Sequence, residues 1–350
     1  MLYLRSESIR TQDPLWQEGW VDGLPVVPPT RERVREMLVA ARRDAQEVLG
    51  RVAPQNSPAT VEKVAINAVM AGCLPEYFPV VAAAVEAATN PAFNLNGVQA
   101  TTHNAAPLMV VGGPIAQDLG ISGDGNCFGQ GNRANATIGR ALRLVLLNVG
   151  GGLPGTVDKS TFGHPGKYTY CIAENDVENP WPPLHVGRDL SASDSAVTVF
   201  ACEAPHSVSD HVSGDGRGIL TTIADSLATM GSNNMYAAGE AMVVLGPEHA
   251  WTLHDDGWTR PDIREFLYEK ARRSIRDLSR GGMYSAEFRR AYWPRWIDET
   301  APDEMVPVVR TPSDILLVVA GGTGKFSLVI PGWGDFGTRA VTRKVAGVQE

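Results

Sequence analysis

The sequence predicts an α/β fold with a mixed or largely parallel sheet, arranged as two pseudo-repeated lobes around a central cleft. Three observations predict it. The string MVVGGP at 109–114 is matched by MVVLGP at 242–247, and LVVAGG at 317–322 is a partial third copy. Each is a short apolar run ending at glycine, the pattern of a buried strand that enters a tight turn. The first two runs each follow a helical segment, at 61–70 and 218–230, and strands alternating with helices imply α/β architecture. Ligands in such folds lie at the carboxyl ends of strands, so a site is expected beside these glycine turns.

The elements follow in order. Residues 1–30 read as irregular and end in GLPVVPPT. Thr30 is placed to cap a helix over 31–49, with Val34, Met37, Leu38 and Ala41 on one face and Gly50 as its stop. Helices are expected at 59–70 and 80–89, separated by a break between Pro75 and Pro79. The stretch 90–107 is polar, uncharged and rich in Asn and Thr, as in a site floor or a bonded turn network. A surface helix is read over 260–278, with Pro261 in its first turn and Ile263, Phe266, Leu267 and Ala271 as its apolar face. Residues 311–350 read as a closing strand–turn–strand unit. The resulting division is an N-terminal helical or irregular arm at 1–58, a first α/β lobe at 59–215 and a second at 216–350.

The bulk composition narrows the function. The chain has 350 residues, 43% hydrophobic and 20% charged, with a formal net charge of −8. These values suit a water-soluble enzyme-sized protein, and no basic stripe points to nucleic acid. No run of 18 apolar residues suggests a membrane span, and the N-terminus lacks the apolar core of a leader, so a cytoplasmic location is expected. The four cysteines, at 73, 127, 171 and 202, form no C-x-x-C pair, which fits a reducing compartment and no zinc knuckle.

The richest segment is GDGNCFGQGNRANATIGRALRLVLLN at 123–148. Its glycines free the backbone for close approach to a ligand, and a helix begins where Asn132, Arg133, Asn135 and Thr137 add donors. A helix N-terminus beside a guanidinium favours an anion. Gly131, Asn132, Arg133, Asn135 and Thr137 are therefore expected to bind substrate. Asn96, Gln99 and Thr102 of the polar stretch and Lys159 of the following loop are expected to join them. The G-x-G-x-x-A form at 129–134 lacks a preceding strand and an acidic residue about 20 positions on, so NAD or FAD is not expected. The string GGTGKF at 321–326 lacks the full phosphate-loop spacing, which argues against ATP.

Reactive groups have several candidates. Cys73 lies at a helix end beside Glu76, an arrangement in which a thiol can act as nucleophile with a carboxylate as proton partner. The alternative for Cys73 is a buried small hydrophobe. His103, in TTHN, is placed to move protons near neutral pH. His206, Asp210 and His211 form a loose cluster in which one His and one Asp converge. That cluster suits a base with its orienting partner or a divalent metal ligated by His206 and His211, with a third ligand from His103, His164 or His185.

Several strings carry a family resemblance: GLPVVPPT, AGCLPEYFPVV, GNRANATIGRALRLVLLN, IAEN, PWPPLHV and VVAGGTGKFS. Together they resemble a bacterial family associated with UGSC-type (seleno)proteins, over most of the chain. The UGSC motif itself is absent, so the resemblance implies the companion or catalytic part of such a system. It also implies thiol or selenol redox chemistry and favours Cys73 over Cys127. The expected function is a small-molecule enzyme that makes or breaks a carbon–heteroatom bond on an anionic substrate. A metal-dependent enzyme and a non-catalytic subunit with a redox partner protein are the alternatives. A homo-oligomer is expected, with the aromatic segment 284–296 as a candidate interface.

Overall fold

The computed structural model describes residues 19–280 and 300–346, with mixed α/β architecture. The expected interface at 284–296 lies outside the described residues. Thr30 caps α1 (Arg31–Ala41) through its side chain, which accepts from the Arg33 amide. The helix stops eight residues short of the expected end, because Arg42 turns left-handed at φ +50°. Residues 48–49, read as the end of that helix, and 50–52, read as its stop and the linker after it, form β1 (Val48–Val52), which pairs antiparallel with β2 (Ser57–Thr60). Pairing along the hairpin overrides the weak helical period there. The hairpin also crosses the boundary expected at 58/59. Helices α2 (Val61–Ala71) and α3 (Phe78–Ala88) fall where the apolar pattern puts them.

The polar stretch becomes a short helix, α4 (Leu95–Ala100), followed by the fully buried β3 (Ala106–Gly112) and α5 (Pro114–Asp118). The glycine-rich loop then leads into α6 (Arg133–Asn148), which packs against α2 and α3. Next come β4 (Cys171–Ala173), β5 (Ala196–Cys202), β6 (His206–Ser209), α7 (Gly216–Leu227), α8 (Asn233–Ala237) and β7 (Ala241–Leu245). Helix α9 (Pro247–Asp255) precedes α10 (Arg260–Lys270), which starts with Pro261 in its first turn as expected and is closed by a capping box between Thr259 and Asp262. The remainder of the helix expected to 278 is instead β8 (Arg272–Ser274) and α11 (Ile275–Ser279), and β8 pairs with β9 (Met305–Pro307). The last strands are β10 (Ile315–Val319), β11 (Phe326–Pro331) and β12 (Val341–Lys344).

Two four-stranded sheets carry the fold, in the orders β12-β5-β3-β4 and β10-β7-β11-β6. In the first, β3 runs parallel to β4 and antiparallel to β5, which is antiparallel to β12. In the second, β7 runs parallel to β10 and antiparallel to β11, which is antiparallel to β6. Each sheet takes its outer antiparallel strand from the other half of the chain: β6 lies before residue 216, and β12 follows β11. The closing unit at 311–350 is therefore divided between the two sheets.

Side-chain alternation along the strands builds four layers. Met109 and Val111 of β3 face the core under α2, α3 and α6. Leu108 and Val110 face Val244 and Leu316 in an apolar layer between the sheets. Val243 and Leu317 face the second helical layer, with Ile223, Leu253 and Leu267. No helix among the described residues is long and apolar enough to cross a membrane.

Candidate functional site

The glycine-rich loop is occupied by its own bonds. Asn132 accepts from the Asn135 amide and donates to the Gly120 carbonyl at 2.8 Å. Asn135 is buried. Its amide oxygen accepts from the Ser122 amide, and its nitrogen donates to the Ser122 and Cys127 carbonyls. Arg133 donates twice to the Gly72 carbonyl, and Thr137 donates to the Arg133 carbonyl one turn back. These four side chains close the turn and cap the helix, as Asn and Thr do at helix starts. Gly131, at φ +116°, supplies the left-handed turn into the cap. At the loop's other end Gly123 accepts from the Gly321 amide at 2.8 Å, and a Cβ on Gly322 would lie 2.9 Å from the Gly125 Cα. This loop thus meets the third glycine turn of the sequence repeat, at 321–322.

The expected reactive groups fall in separate places. Cys73 is buried and its thiol donates to the Thr137 carbonyl, while burial pushes its pKa up to about 12. Its neighbour Glu76 is exposed at the surface. This is the environment of an inert packed thiol rather than an activated one. Burial likewise raises Cys127, to about 11, and lifts Cys171 and Cys202 far above the ordinary thiol range. His206 and His211 are exposed, on β6 and just after it, and the His211 ring packs edge-on to Phe326. Burial would raise the Asp210 carboxyl, but bonds from Ser213, Thr222 and Val212 outweigh it and hold the group at about 2. Asp210 thus ties β6 to α7. Among the described residues no three His, Cys, Asp or Glu side chains converge to hold a metal, so the expected His206–His211 ligand set is not assembled.

His103 is different. Its Nε2 lies 2.8 Å from Glu203 Oε1, and its Nδ1 is buried without a partner among the described residues. A carboxylate on Nε2 fixes the proton there and leaves the Nδ1 lone pair free, the arrangement of a base held by an orienting acid. Antiparallel pairing of Ala106 with Cys202 is what brings these two residues together across 100 positions. Periodicity carries no such signal, and Glu203 was not visible as a partner in the sequence. The Ser160 hydroxyl donates to the His103 carbonyl at 2.8 Å, and Thr161 bonds the Thr102 carbonyl.

Ser160 also lines a cavity of about 540 Å³ beside the C-terminal half of α6. Arg143 and Leu147 of the helix form one wall, one turn apart. Arg143 is only 8% exposed. Among the described residues its guanidinium has no hydrogen-bond partner, and burial draws its pKa down while Asp158 and Asp22 oppose that at longer range. The other charges here are in contact pairs. Lys167 bonds both oxygens of Asp158 at 2.7 and 2.6 Å, and Arg140 grips Asp22 with two bonds of 2.8 Å. His164 also lines the cavity; burial, then the charges of Lys167 and Arg143, lowers its pKa to about 4, so the ring is neutral at pH 7. Its Nδ1 accepts from the Gly166 amide, which places the neutral ring's proton on Nε2.

The remaining expected binding residues lie outside this cavity. Gln99 is buried and donates to the Ala53 carbonyl, Asn96 is exposed on α4, and Lys159 is exposed with its ammonium on the Gly155 carbonyl. The cavity also lies at the amino end of β3, opposite the glycine turn where ligands were expected. Arg143 was legible as part of the motif, but its isolation was not. No family model matches this chain, and no curated protein is significantly similar to it, so the resemblance to UGSC-associated proteins rests on the quoted strings.

Proposed function

We propose that the protein is an enzyme acting on a small anionic molecule, held by Arg143, with His103 as the proton acceptor. The observation that carries the reading is Arg143: a residue only 8% exposed, its guanidinium without a hydrogen-bonded counter-ion, on the wall of a cavity large enough for a metabolite. A buried unpaired cation is costly, and its cost is offset when an anion binds. Glu203, bonded at Nε2, orients the ring so that Nδ1 can take a proton, and it pairs with the imidazolium that forms. Ser160 couples the two groups, since it touches the cavity and the His103 backbone. The alternating pairings of the two sheets favour two related halves, with the reaction confined to the half that carries α6.

The test is a thermal-shift panel of acetate, benzoate, succinate and inorganic phosphate on the wild type and on Arg143→Met. Stabilisation by at least one anion, lost in the variant, is expected. Equal stabilisation of both proteins, or of neither, would sink the assignment of Arg143.

A further inference from the structure

The charges around the cavity define its ligand more closely, on the reading that Arg143 holds the substrate. Of the charged groups that line it, Arg143 and Lys167 are positive and Asp22 and Asp158 are negative; Arg140, outside the lining, pairs with Asp22. His164 is neutral. Arg140 with Asp22 and Lys167 with Asp158 cancel in contact, which leaves one positive charge, at Arg143. Apart from Ser160, the rest of the wall is mostly apolar, with Val21, Leu147, Leu153, Phe162 and Tyr168. Phe162 is 88% exposed at the opening, and Tyr168 and Leu153 are also exposed there. Isolated exposed apolar side chains are ordinary, but three on the rim of one cavity form a surface for an apolar ligand body.

We infer that this cavity binds a monocarboxylate with an aromatic or branched apolar body, its carboxylate on Arg143 and its body against Leu147, Leu153, Phe162 and Tyr168. A planar guanidinium matches a carboxylate with two parallel bonds. A second negative charge on the ligand meets no free cation and lies near the carboxylates of Asp22 and Asp158. Phosphate monoesters and dicarboxylates are therefore disfavoured, by like-charge proximity and by desolvation without a partner.

Calorimetry with phenylacetate, phenyl phosphate, succinate, acetate and 2-phenylethanol tests this. Phenylacetate is expected to bind roughly tenfold or more tightly than phenyl phosphate or succinate, a difference of about 1.4 kcal/mol. Acetate is expected to be weaker for want of apolar contact, and the neutral alcohol weaker for want of charge. Arg143→Met should lose phenylacetate binding, and Arg143→Lys, which keeps the charge without the fork, should retain a weakened fraction. Phe162→Ser should weaken phenylacetate and leave acetate unchanged. Tighter binding of phenyl phosphate, abolished by Arg143→Met, would overturn the monocarboxylate inference and leave the anion site standing. Binding of none of the anions would overturn both. Circular dichroism of each variant separates loss of binding from loss of fold.

Discussion

Helix α6 carries conspicuous polar side chains at both ends, and the two ends use them differently. At its N-terminus, Asn132, Arg133, Asn135 and Thr137 each bond a backbone group of the loop, the end of α2 or the helix itself. Two turns further on, Arg143 is buried with no bonded partner among the described residues. Both regions look equally functional in one dimension, since both mix arginine and asparagine with small residues. The difference is saturation. A polar group whose bonding capacity the chain has filled is explained by folding, whereas a buried one left open is explained only by something that comes to it.

The sharpest way to test the contrast is to compare reactive groups attached to each end. His103→Asn, at the residue that Ser160 links to the cavity, is expected to lower turnover by about 10²–10⁴-fold with ligand affinity kept, the usual share of a general base. Cys73→Ser, packed at the N-terminal end, is expected to leave turnover unchanged. Steady-state kinetics on whichever ligand the panel identifies gives both numbers. A dead Cys73→Ser with an active His103→Asn reverses the assignment and restores the thiol reading.

The opposite readout belongs to Asn135. Its buried amide joins Ser122 and Cys127 to the helix start with three bonds, one buried and two part-buried. Asn135→Ala strands those backbone groups and is expected to cost about 3 kcal/mol of stability, measured by urea unfolding. The anion affinity of the folded fraction should not change. A variant with wild-type stability would mean that the loop is held elsewhere.

His164 gives a pH signature at the cavity end. Its folded pKa of about 4 lies below the ordinary 6.5, so the unfolded chain binds the proton first. The stability this neutral ring supplies is present above pH 6.5 and is lost as pH falls toward 4. With its partial exposure discounted, the loss is on the order of 2 kcal/mol. His164→Asn keeps an acceptor for the Gly166 amide and should flatten that part of the stability profile. An unchanged slope would assign the acid sensitivity to other groups.

Much of the fold was legible because burial writes itself into periodicity. The apolar runs of β3, β7 and β10 and the faces of α2, α3 and α10 are visible without coordinates. The hairpin β1–β2 and strand β8 were not, since short strands flanked by charged residues differ little from amphipathic helix. The swap of β6 and β12 between sheets has no local signal, because pairing partners are chosen by the whole chain. The same limit applies to the site. His103 and Arg143 stood out by type and neighbourhood. Glu203, Ser160 and the isolation of Arg143 depend on contacts between residues far apart in sequence.

Arg133 is the smallest and most direct test of the comparison. It is exposed and its two bonds go to one carbonyl, Gly72, so the chain has already used it. Removing an exposed donor leaves a carbonyl that water can reach, and Arg133→Ala is expected to cost under about 1 kcal/mol. Its effect on phenylacetate affinity should be within twofold, roughly the resolution of calorimetry. Arg143 stands ten positions later on the same helix, so long-range charge alone cannot separate the two residues by much at physiological salt. What separates them is burial and saturation. If Arg133→Ala weakened anion binding tenfold while leaving the melting temperature alone, the anion site would lie at the glycine loop, and the saturated bonds seen there would have to open to admit the ligand.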